Sequence, residues 1–65
     1  MTKDEAIAVV TASYPAAIVV HNELTRMSEL WVEPLRLGSP VFGVSGPAAE
    51  AWIRFAEYMK KGVVF

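Results

Sequence analysis

The chain has no cysteine and one histidine, His21, among its 65 residues. The first absence excludes a disulfide framework and a thiol nucleophile. The second leaves no H-x-x-x-H or H-E-x-x-H pattern with which to hold a metal. A chain this short buries only about 60% of the surface its unfolded state exposes, so its stability margin is thin. Small scaffolds supplement one core with disulfides, a metal or association. With the first two missing, oligomerisation or a partner protein is the supplement the composition points to.

Charge is also sparse. Six basic and seven acidic residues give a formal net charge of -1, which offers no global attraction for nucleic acid or an anionic membrane. Apolar runs such as Ala16 to Val20 fall far short of the ~20 residues that cross a bilayer, so no membrane span is expected. The opening Met1-Thr2-Lys3-Asp4-Glu5 puts two acids where an export signal requires net positive charge. A cytoplasmic location is the corresponding expectation.

What the chain does have is apolar side chains: 54% of the residues are hydrophobic and only 20% charged. A short chain has little interior, so part of that excess must lie on the surface, where contiguous apolar patches mark interaction sites.

Three helical segments are predicted from periodicity and caps. Thr2-Lys3-Asp4-Glu5 is a T-x-x-E capping box, and Ile7, Val10 and Tyr14 follow at helical spacing until Pro15, which places helix 1 at about residues 3 to 13. Pro15 suits the first position of a second helix running to about Glu33. On it Ala17, Val20, Leu24, Met27 and Trp31 alternate steps of three and four and are expected to face the core. Ala16 to Val20 can also be read as a buried strand, but the helical spacing continues past Val20 and favours a helix.

Residues 34 to 47 hold three of the four prolines and three of the four glycines and form the connector. Its apolar residues, Leu35, Leu37, Val41, Phe42 and Val44, predict a short hairpin or a loop packed on the helices rather than a free linker. Helix 3 is predicted at 47 to 61, with Gly46 as N-cap, Pro47 at its first position and Lys60-Lys61-Gly62 at its end. Glu50 with Arg54 and Glu57 with Lys61 are i,i+4 pairs on its wet face. Its apolar residues span about half the wheel, more than the ~100° stripe that one core contact requires. Trp52, Phe55, Tyr58 and Met59 are therefore candidate interface residues, as is Phe65 in the apolar tail Val63-Val64-Phe65. Glu23, on the flank of the helix 2 arc, is the remaining candidate, as a charge that sets register with a partner or pairs with Arg26.

No chemistry is legible. Ser13, Ser28, Ser39 and Ser45 lack a G-x-S-x-G context, and one histidine would have to serve them all. Gly43-Val44-Ser45-Gly46-Pro47 lacks the G-K-[ST] ending of a phosphate-binding loop and reads as turn chemistry. The outward bases of helix 3 are matched by acids, unlike those of a DNA-recognition helix. Taken together, the sequence predicts an all-α three-helix domain over residues 1–65, with a structured apolar connector and a short β-hairpin as its leading variation. The expected function is that of a non-enzymatic protein-protein interaction module, a small adaptor, regulator or inhibitor, self-associating as a homodimer or binding a larger protein. No catalytic residue, cofactor or metal is expected. The competing classes are a helix-turn-helix nucleic-acid binder and a small-ligand-binding subunit of an oligomer.

Overall fold

The structure, a computed structural model, describes residues 1–62. Its first helix, α1, spans Lys3–Ser13 as the capping box predicts. Thr2 Oγ1 accepts the Glu5 N–H at 3.2 Å and donates to the Glu5 carboxylate at 3.2 Å, so one orphan amide of the first turn is satisfied. The helix stops at Tyr14, ahead of Pro15, and turns Ala6 and Val10 inward.

Residues 15–33 overturn the expected second helix, and with it the all-α three-helix fold. The segment folds as two strands, β1 (Ile18–Asn22) and β2 (Met27–Trp31), paired antiparallel from Ile18 opposite Trp31 to Asn22 opposite Met27. The turn between them holds neither glycine nor proline. Asn22 Oδ1 instead accepts the backbone N–H of Leu24 at 3.0 Å and of Thr25 at 3.4 Å, and Arg26 closes the turn in the left-handed region at φ 56°. A side chain thus supplies the bend that turn residues ordinarily signal. Of the five residues at three-and-four spacing Ala17 does reach the core, but Val20, Met27 and Trp31 lie on the exposed side of the sheet, and Leu24, at the turn, is 96% exposed.

A third strand, β3 (Val41–Ser45), pairs antiparallel with β2 and completes a sheet in the order β1-β2-β3. The connector is therefore part sheet and part loop. Leu35 and Leu37 are fully exposed rather than packed. The loop is tied internally by Glu33 N–H to Ser39 Oγ at 3.1 Å and Arg36 N–H to Glu33 O at 3.0 Å. After β3 the chain turns at Gly46, whose φ of 124° suits glycine and whose N–H returns to Arg26 O at 3.2 Å.

The second helix, α2, spans Ala48–Lys60, with Pro47 at the N-cap position in place of the expected Gly46. Of the two predicted pairs on its wet face, Glu50–Arg54 forms, at 3.1 Å, and Glu57–Lys61 does not. The helix packs on the inner face of the sheet, against all three strands, and α1 packs along it. Those two surfaces account for its wide apolar arc: Ala51, Trp52, Phe55 and Ala56 are all interior. The inner face supplies two cross-strand rows, Val19-Leu30-Phe42 and His21-Ser28-Val44. Phe55, 1% exposed, is the hub. Its ring lies 5.7 Å from that of Phe42 on β3 and 6.1 Å from that of Tyr14 at the end of α1.

Two outcomes follow for stability. Phe55→Ala should cost about 3 to 5 kcal/mol, a large part of the total for so small a domain, and Leu24→Ala should stay within about ±0.5 kcal/mol. Thermal melts in which Leu24→Ala is the more damaging would contradict this packing. Because a non-glycine residue in the left-handed region carries a penalty of about 1 kcal/mol, Arg26→Gly should raise the melting temperature by a few degrees. A lowered melting temperature would mean that the arginine side chain outweighs the strain.

Candidate functional site

Successive residues of a strand point to opposite faces, so the register defines what the sheet shows on its outer side. Across the strands the outer rows are Ile18-Trp31-Val41, Val20-Glu29-Gly43 and Asn22-Met27-Ser45. Neither helix covers them. Ile18, Val20, Met27, Trp31 and Val41 are each between 37% and 46% exposed. Five large apolar side chains thus share one open surface, and contiguous exposed apolar patches mark interaction sites. Glu29, the middle residue of the middle strand, is the only charged residue in the three rows.

The residues singled out from the sequence are dispersed. Trp52 and Phe55 are interior. Met59 packs partly buried against the core, and Tyr58 is 39% exposed, with its ring edge-on to Phe42 at 5.3 Å. Glu23 sits exposed in the β1–β2 turn, not on a helix flank, and makes no ion pair with Arg26. Phe65 and the tail from Val63 lie outside the described residues. None of the described candidates belongs to the outer face. The signal that could have found that face is the alternative reading of Ala16 to Val20 as a strand.

The structure brings one serine and the histidine together. His21 Nδ1 and Ser28 Oγ are 2.8 Å apart, and Ser28 Oγ donates to the Gly46 carbonyl at 2.7 Å. A hydroxyl has one proton. Since that proton goes to Gly46, the imidazole must donate through Nδ1–H, the reverse of what a general base does to a nucleophile. Ser28 is also fully buried. The chain of hydrogen bonds therefore joins β1, β2 and the turn before α2, and its role is to satisfy a buried hydroxyl.

Among the described residues no three His, Asp or Glu side chains gather into a metal site. A groove of about 340 Å³ runs between the open edge of β3 and α2, lined by Phe42, Gly43, Val44, Ser45, Arg54 and Tyr58. It is broad-mouthed, and its one cation is already paired with Glu50. A smaller recess of about 70 Å³ lies beside the connector. There the Arg36 guanidinium is held above its ordinary pKa by its 2.8 Å hydrogen bond to Glu33 and by that carboxylate's charge. The pair is exposed. No helix of the described residues is long and apolar enough to cross a membrane.

Removing the Ser28 hydroxyl leaves two hydrogen-bonding groups without their partner. Ser28→Ala should therefore cost about 1 to 3 kcal/mol in urea or thermal unfolding, and more than His21→Ala, which leaves the bond to Gly46 in place. The opposite order would show that the histidine carries the network. Comparison of the chain with protein-family models, curated proteins and solved structures finds no match, so its function has to be argued from this geometry.

Proposed function

We propose that the chain is a non-enzymatic protein-interaction module, a small adaptor, regulator or inhibitor, whose binding surface is the outer face of the sheet. The observation that carries this reading is the row structure of that face: Ile18, Val20, Met27, Trp31 and Val41 are all more than a third exposed on one side of one sheet. Covering them with a partner removes apolar surface from water at roughly 25 cal/mol per Å² before the costs of association. Trp31 is the residue type that most often anchors such a contact. The composition supports the same reading, because a chain this short gains stability from a bound partner.

The nucleic-acid alternative loses its structural basis. Three strands separate α1 from α2, so the described residues form no helix-turn-helix, and the open face presents a carboxylate where phosphate binding needs bases. The small-ligand alternative would use the groove beside β3. That groove is open, whereas ligand sites enclose most of their ligand.

The test is substitution on the face. Val20→Asp with Val41→Asp should leave the thermal transition within a few degrees of the parent and should abolish partner capture from the host, or dimer formation in light scattering if the partner is a second copy. If capture and mass are unchanged by these substitutions, the outer face is not the binding surface.

A further inference from the structure

The occupant of the outer face can be specified from its size and its one charge, an inference that rests on the interaction reading above. Three strands of five residues, at about 3.3 Å per residue and about 4.8 Å between strands, make a surface about 17 Å long and 10 to 14 Å wide. That is the footprint of a single helix, about 10 to 12 Å across, over about three turns. The inner face of the same sheet already takes an occupant of this kind, the 13-residue α2. A whole folded domain would need about 800 Å² on each side for a stable complex, more than this face offers.

Glu29 sets the chemistry. It stands at the centre of the central strand, opposite Val20 on β1 and Gly43 on β3. Its carboxylate has no ion pair or hydrogen bond among the described residues. Gly43 puts no side chain opposite Glu29 on β3, and the Met27 methyl lies 3.6 Å from where its Cβ would stand. An apolar occupant that covered Glu29 would strand a charge away from water, which is costly unless the charge is paired. A second copy does not solve the problem. A two-fold axis through the middle of the face sets Glu29 against its own image, and like charges opposed in this way repel.

We infer that the outer face of the sheet binds an amphipathic helix from another protein, carrying one Arg or Lys in the middle of its apolar stripe to pair with Glu29. Leu, Ile or Met side chains at spacings of three and four on either side of that cation pack on Ile18, Trp31 and Val41 at one end and on Met27 at the other, with Val20 beside the cation. The stem of the cationic side chain lies beside Gly43, against the Met27 methyl. Guanidinium is the better fit, because its planar fork pairs with a carboxylate in two-point geometry.

The test is selection from a displayed library of amphipathic helices, randomised along one face, against the 65-residue chain and against its Glu29→Lys variant. The native chain should enrich helices with Arg or Lys at one central position among apolar residues, and Glu29→Lys should enrich Asp or Glu there. Glu29→Gln should weaken the best native-selected helix by about tenfold or more, with its melting curve as the control for folding. Enriched helices without a basic residue, the same helices from both selections, or no enrichment would overturn the inference. If binders are lost on Val20→Asp with Val41→Asp but ignore every change at Glu29, the face stands as the interaction surface and the cation falls. If they ignore the face substitutions too, both readings fall. Dimerisation of Glu29→Leu together with binders indifferent to position 29 would mean that the carboxylate only prevents self-stacking, which also overturns the proposal.

Discussion

The constraint on which this structure depends is that one helix must serve two neighbours. Among the described elements α2 alone contacts every other, and Phe55 near its middle meets Phe42 of β3 and Tyr14 at the end of α1. In a chain of 65 residues there is material for a single core, so the helix that fills it has to be apolar over much of its circumference. What looks like an excess of apolar residues on α2 is the amount needed when α1 lies on one flank and a sheet on the other.

The same economy leaves the outer face of the sheet open. A sheet has two sides, and two-layer packing buries one of them. α1 is spent on α2, the connector after β2 is held in its own turns by Glu33, Arg36 and Ser39, and no further helix is available among the described residues. An antiparallel sheet in that position ordinarily alternates apolar inward with polar outward. Here four of the five positions on β1 and β2 that flank Glu29 across the outer face (Ile18, Val20, Met27 and Trp31, with Asn22 the exception) are apolar, and that departure from the usual alternation gives the face its functional interest.

The polar features of the fold are spent on holding it together. The His21-Ser28-Gly46 chain of hydrogen bonds ties two strands to the turn before α2, and Asn22 forms the first hairpin with its side-chain oxygen. Both satisfy backbone or buried groups that would otherwise lack partners. Glu29 is the exception: a carboxylate amid apolar neighbours, with no partner among the described residues.

The sequence by itself determined the two helices, because their signals are local. Thr2 with Glu5, the stop before Pro15, the start after Gly46-Pro47 and the end at Lys60 are all decided within a few residues of where they act. Residues 15–33 were decided only by tertiary structure. Val20, Leu24, Met27 and Trp31 have helical spacing and little alternation, because apolar side chains occupy both faces of the strands, and the turn at Asn22 to Arg26 has no glycine to announce it. Strand pairing with Val41–Ser45, far along the chain, outweighs that local pattern. For the same reason Trp52 and Phe55 read as interface candidates when they are core, and Trp31 and Val20 read as core when they are exposed. Burial depends on which elements meet, and here that is settled by long-range pairing and by α2 filling the one interior the chain can build.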